Sequence, residues 1–385
     1  MNRIRRMDAS AGLAMAEAGV ILADLHDAAH AAGARFPLTL GARGSATIGG
    51  LASTNAGGTQ VLRWGTMRGL VAGVEAVLPD GSVHDGLAAL KKDNRGYDVK
   101  ELLVGAEGTL GVITAAALRL APAIAARAVA WLGVADPQTA LTLLRRLEAE
   151  TDTIESFELL PAGSLAAVLA HLPAARAPLA GEHPWHVLVE AVASSPADEP
   201  PAALLERLLA DALAQGLARD AVIAASEGQA EAFWTIRDSI SAGERAQGPA
   251  TQHDISVPVE AMPRFLVEAA AACEARFPGT HASGFGHLGD GNVHFHVRAP
   301  AGAVPERWYA EDAPVATRFV HDLVVDAGGS ISAEHGIGQM KRDELARLSS
   351  PARMAVLYGV KQALDPQGLM NPDKLVALAS ARAAP

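Results

Sequence analysis

Apolar and polar positions along the chain follow two textures, and the change between them falls near Pro122. Downstream, "AVAWLGVAD" (128–136) reads as a strand, "PQTALTLLRRLEAE" (137–150) carries leucines at helical spacing, and "TIESFELLP" (153–161) is a strand again. "WHVLVEAVAS" (185–194) then leads through the proline- and acid-rich loop "SPADEPP" (195–201) into the helix "AALLERLLADALAQGLAR" (202–219). Strands alternating with helices of this length predict an α+β layer, one sheet covered by helices on a face. The alanine-rich tract 161–220 keeps its leucines at i, i+3 and i+4, which favours ordinary amphipathic helices over a low-complexity segment.

Upstream of Pro122 the apolar runs are short and glycine breaks them: "GARGSATIGG", "TNAGGTQ", "VEAVLPDGSVHDGL" and "GAEGTLGVITAAAL". This rhythm predicts strands joined by tight loops. The segment 41–65 holds seven glycines with Ser45, Thr47, Ser53, Thr54 and Asn55 among them. Such a stretch lets the backbone approach a ligand and offers N–H groups to a phosphate, or it forms a pair of tight turns in a β-rich domain. No GxGxxG follows a strand and opens a helix here, which disfavours a Rossmann site.

Composition narrows the picture. At 385 residues and 50% hydrophobic, the chain can bury two domain cores. A net charge of −11 opposes binding to nucleic acid or an anionic membrane, both polyanions. No stretch is long and uncharged enough for a transmembrane helix, and the start "MNRIRRMDASAG" turns polar and helical where a secretory signal needs an apolar core. The single cysteine, Cys273, excludes an internal disulfide. A cytoplasmic enzyme is the expectation.

Candidate chemistry concentrates in two stretches. "SGFGHL" and "NVHFHV" alternate on either side of "GDGN", a strong turn signal, so a hairpin brings His287 near His294 while His294 and His296 share a face. Glu334 precedes "HGIG", where a strand ("GSISAE") gives way to the helix "GQMKRDELARL". Two imidazoles and a carboxylate form the ligand set of a catalytic divalent metal, although a histidine-rich strand also serves as a polar sheet face. Adjacent residues of an extended segment point in opposite directions, so with Glu334 at a metal, His335 faces elsewhere as a base or as a structural histidine. In "AFWTIRDSISAG" (232–243), Arg237 and Ser241 fall at i, i+4 on one helical face, suited to a carboxylate clamp or to solvent.

Six motifs in order, "GARGSATIGG…TNAGG", "VLPDGSV", "KKDNRGYDVKELLVGAEGTLGVIT", "GHLGDGNVH", "AEHGIG" and "DPQGLMNPDKL", span nearly the whole chain. They resemble the FAD-linked D-2-hydroxy-acid dehydrogenases of the vanillyl-alcohol-oxidase fold, the D-lactate, glycolate and D-2-hydroxyglutarate dehydrogenase type. The resemblance implies an α+β protein: part of an FAD-binding domain over 1–122, and a substrate-cap domain over 123–385 whose last helix returns to the FAD domain. It implies that Ser45, Gly49, Gly50, Asn55, Glu107, Gly108, Gly111, Ile113 and Asn371 lie along the flavin. It further implies a divalent metal, zinc or manganese, at His287, His294 and Glu334, with His335 as general base and Arg237, Ser241, Gln252 and His296 at the substrate. The implied partners are a 2-hydroxy acid and an electron acceptor of the quinone, cytochrome or electron-transfer-flavoprotein type. The candidate assembly is a homodimer, cytoplasmic or peripheral to the inner membrane.

The chain departs from this pattern at three points. The family carries roughly a hundred further residues, with a glycine-rich pyrophosphate loop, ahead of the position of Met1. This departure raises the alternative of a late start or an FAD-deficient paralogue that keeps a metal-binding cap. Gln252 replaces a usual lysine and His296 a usual asparagine, which weakens a dicarboxylate substrate.

Overall fold

The computed structural model describes residues 1–377. The chain forms two compact units: one from 1–60, 64–123 and the described residues from Glu334 on, the other from 61–63 and 124–333.

The first unit is built on a five-stranded antiparallel sheet ordered Ile4–Asp8, Leu13–Glu17, Val112–Arg119, Val71–Val77, Val83–Asp85. The N-terminal stretch expected to be helical is thus an edge strand, because the hairpin to Leu13–Glu17 satisfies its backbone and Arg3 and Arg5 both reach the buried Glu17. "GARGSATIGG" is likewise corrected. Its second half opens the helix Ile48–Thr54, where Thr47 caps by accepting the Gly50 N–H. A side chain at Gly49 would come within 2.6 Å of the Ala18 methyl, so that glycine is explained by close packing of the helix. Leu22, Leu25, Ile48, Met67, Val74 and Leu118 are among the residues filling this core.

The second unit is a seven-stranded antiparallel sheet ordered Asp220–Ile223, Ala126–Val134, Trp185–Ala193, Ile154–Pro161, His281–His287, Asn292–Arg298, Ala250–Ser256. The nearly unbroken apolar strands have a simple cause, since helices lie on both faces and not on one. On one face Ala130, Leu132, Phe157, Val187, Val293 and Phe295 pack against the helices Pro137–Glu150, Pro201–Ala214, Met262–Arg276 and Ala313–Asp326. On the other, Trp131, Leu160, Leu188 and Phe285 meet the helices Ala162–His171 and Glu227–Asp238. No described helix is long and apolar enough to cross a membrane.

One buried histidine of this second face carries a pH expectation. Trp131 Nε1–H donates to His186 Nδ1 at 3.2 Å, which requires a neutral ring. Burial, then His183, pushes His186 down from 6.5 to about 4. Because the folded value is depressed, the unfolded chain takes up the proton first, and stability present above pH 6.5 is lost as pH falls toward 4. The loss should be roughly 1–3 kcal/mol. Urea midpoints measured across this range should fall less steeply in His186→Gln, which can accept from Trp131 without titrating; equal slopes would contradict the assignment.

Candidate functional site

In the second unit four adjacent strands bring the polar residues into rows. Glu158, His287, Asn292 and Ser256 are successive cross-strand partners, as are Phe285, His294 and Asp254, and then Ser283, His296 and Gln252. The hairpin expected at "GDGN" is present. Asp290 Oδ1 accepts the Asn292 N–H at 2.9 Å, and Gly291, at φ +79°, leaves no room for a Cβ against the Val257 carbonyl oxygen at 2.1 Å. The His287 and His294 rings lie 5.6 Å apart, edge to face.

Glu158, a residue the sequence reading passed over, organises this end of the sheet. Its carboxylate accepts from Arg237 Nε at 2.8 Å and from His287 Nδ1 at 2.6 Å, with the side chain 2% exposed. Burial alone would raise its pKa, but Arg237 and His287 together outweigh burial and hold it down at about 2. For His287 burial acts downward and the Glu158 charge prevails, moving it up. Arg237 Nη2 lies 3.1 Å from His287 Nε2 and donates to it when Nδ1 carries the proton. Burial, then His287 and Arg237, push His294 down to about 3, which keeps its imidazole neutral.

Arg237 and Ser241 do not share a helix. The first helix ends at Asp238 and a second begins at Ile240, with Ser239 between them, so the i, i+4 argument fails there. Gln252 is exposed, whereas His296 is 3% exposed and its Nδ1 has no hydrogen-bond partner. Burial, then Arg245, lowers His296 to about 4. The two positions that depart from the family pattern are direct cross-strand partners.

In the first unit the glycine motifs serve the chain itself as well as any ligand. Asn55 is left-handed at the end of its helix, and its Oδ1 accepts the Arg68 N–H at 2.8 Å. Glu107 is also left-handed, at φ 53°. Its carboxylate accepts the N–H groups of Ile337 and Gly338 at 2.7 and 2.6 Å, and its carbonyl accepts from Asn371 at 2.6 Å. A side chain at Gly336 would meet Glu107 Oε1 at 2.9 Å, so the "HGIG" loop is held by its backbone against this carboxylate. Ile113 is buried in the core, and Gly111 sits against the Val77 carbonyl oxygen.

The strand expected through "GSISAE" is absent. Ser330 forms an isolated bridge with Ser256, and residues 333–335 bend. Glu334 and His335 therefore do not point apart, and their ligand atoms lie within 4.8 Å of each other. Ser45 and Gly50 are exposed, and nothing lies within 4 Å of a Cβ at Gly41 or Gly44. A flat or anionic ligand could approach that backbone closely, which fits a flavin cofactor.

These features belong to a two-unit fold of the vanillyl-alcohol-oxidase architecture. The chain belongs to the family of FAD-linked oxidases: residues 124–375 match its C-terminal domain and residues 1–86 match an FAD-binding domain. It is 34% identical to the mitochondrial D-2-hydroxyglutarate dehydrogenase of Arabidopsis thaliana, over 98% of this chain and 66% of that protein. It is 36% identical to the D-2-hydroxyglutarate dehydrogenase of Xanthomonas citri pv. viticola, over 93% and 74%. Identity to the D-2-hydroxyglutarate–pyruvate transhydrogenase of Saccharomyces cerevisiae is 32%, over 98% and 76%. The chain thus spans about two thirds of the length of the plant relative. Among solved structures, substrate-bound p-cresol methylhydroxylase shares the fold with a TM-score of 0.73 at 14% identity, covering 99% of this chain and 79% of that one. Alkyldihydroxyacetonephosphate synthase shares it at 0.66 and 16%, covering 97% and 67%.

Proposed function

We propose that this protein oxidises a D-2-hydroxy acid of the lactate, glycolate or 2-hydroxyglutarate class to the 2-oxo acid. The observation carrying this reading is the buried Arg237–Glu158–His287 cluster beside His294, in a chain whose relatives are named D-2-hydroxyglutarate dehydrogenases. When bound, FAD supplies the acceptor for the hydride leaving the substrate's hydroxyl-bearing carbon. Ser45, Gly49, Gly50, Asn55, Glu107, Gly108, Gly111, Ile113 and Asn371 are the residues assigned to it. A quinone, a cytochrome or an electron-transfer flavoprotein takes the electrons onward.

Arg237 binds the substrate carboxylate through its guanidinium, and Ser241 assists from the next helix. His335 accepts the hydroxyl proton. Gln252 and His296 face the far end of the substrate and set its length and charge.

The donor chemistry also fits a zinc or manganese ion at His287, His294 and Glu334. Glu158 fixes the Nδ1–H form of His287, whose Nε2 would have to exchange its Arg237 donor for the ion, while His294 is neutral. The ion would supply Lewis acidity at the substrate oxygen. Elemental analysis should find the metal in wild type and not in His294→Ala, since two remaining ligands hold an ion poorly; equal content would remove His294 from the set.

Steady-state kinetics test the substrate assignment. Arg237→Ala should raise KM for every 2-hydroxy acid by roughly 10–100-fold, through loss of a charge-assisted contact. An unchanged KM in a folded variant would place the carboxylate elsewhere.

A further inference from the structure

The second unit holds three carboxylates in its central strands, Glu155, Glu158 and Glu190, each 7% exposed or less. Glu190 joins Arg127 and Trp234 Nε1, and Glu155 joins Arg63. Glu158 stands in the histidine rows, as the cross-strand partner of His287. It faces Arg237 with one oxygen and His287 with the other, and the two protein groups are also within 3.1 Å of each other.

We propose that Glu158 is a positioning residue, which acts through Arg237 and His287 and touches no substrate. This inference rests on the reading of Arg237 as the carboxylate-binding cation. The carboxylate Oε2 takes the Nε–H of Arg237 and thereby fixes the plane of the guanidinium before substrate arrives. The Oε1 atom can only accept, so the proton of His287 is held on Nδ1 and the lone pair on Nε2. One buried anion thus sets the direction of the cation and the tautomer of the ring. A neighbouring amide cannot do both. In Glu158→Gln one of the two oxygens becomes NH₂, which opposes a donor whichever way the amide turns.

The test combines kinetics with a direct view of the ring. Glu158→Gln should raise KM for 2-hydroxy acids by about 10–100-fold, the usual cost of losing a supporting contact, with a smaller change in kcat. It should add little to Arg237→Ala, because the two residues act as one device. Nitrogen-15 NMR of the histidine rings, with His287→Gln used to assign the signal, should show a protonated Nδ1 in wild type and its loss in Glu158→Gln. Should Glu158→Gln fail to fold, Glu158→Asp keeps the charge but withdraws it by one methylene, and its KM should rise in the same direction. A wild-type KM in either folded variant, or losses that simply add to those of Arg237→Ala, would overturn the role. So would an unaltered His287 ring. If wild type oxidises no 2-hydroxy acid, the substrate reading fails, and the NMR result alone then decides on Glu158.

Discussion

His335→Ala should reduce turnover of a D-2-hydroxy acid by roughly two to four decades, the usual contribution of a positioned general base. Flavin content should stay at the wild-type level, because backbone N–H groups of Ile337 and Gly338 on Glu107 fix the loop that carries His335. The fall should appear in kcat and not in KM, since a proton acceptor acts in the transition state and adds little to ground-state binding. Stopped-flow reduction of the flavin by substrate reads the step directly. Near-normal reduction in the variant would move proton abstraction to another group. His335→Gln separates the base from a hydrogen-bonding role: the amide can hold the hydroxyl but cannot take its proton, so its loss should match that of alanine.

Lys361→Met should destabilise the first unit by about 3–5 kcal/mol, the cost of breaking a buried pair from one side. The Lys361 ammonium is 7% exposed as a residue and spends its hydrogens on three acceptors: the Thr109 carbonyl at 2.8 Å, the Met370 carbonyl at 2.7 Å and Asp365 Oδ2 at 2.5 Å. Methionine fills the space but leaves Asp365 buried with only the N–H groups of Leu369 and Met370, and orphans two carbonyls. Asp365 should then be less costly to lose: Lys361→Met with Asp365→Leu should recover part of the deficit, since removing both charges abolishes the unpaired carboxylate. Urea unfolding of the single and double variants checks this. Additive losses would show that the two residues do not act as a pair.

The sequence carried the fold where packing obeys periodicity. The helix expected at 137–150 is Pro137–Glu150, and the strands around Trp131, Phe157 and Leu188 lie where unbroken apolar runs put them. The hairpin at "GDGN" followed from turn chemistry alone. Errors arose where a local rule was extended across an unseen break. Ser239 ends one helix and precedes another, so Arg237 and Ser241 lost their shared face. Only an isolated bridge at Ser330 marks the expected strand "GSISAE", and without extended backbone the alternation of Glu334 and His335 had no basis. The helices on the second face of the sheet were also unforeseen, although the nearly continuous apolarity of Trp185–Ala193 signals burial on both sides. Glu158 and Glu107 left a subtler trace. Each is an acid in an apolar or glycine-rich surround, where a charge is costly unless something nearby is built to receive it.

The sharpest test of the proposed chemistry is anaerobic mixing of the flavin-loaded protein with D- and L-2-hydroxyglutarate, with the flavin absorbance followed to completion. The D enantiomer should bleach the flavin stoichiometrically and yield one equivalent of 2-oxo acid, while the L enantiomer leaves it oxidised. A flavin that stays oxidised with D-2-hydroxyglutarate, D-lactate and glycolate alike would contradict the assignment of this protein as a D-2-hydroxy-acid oxidising enzyme.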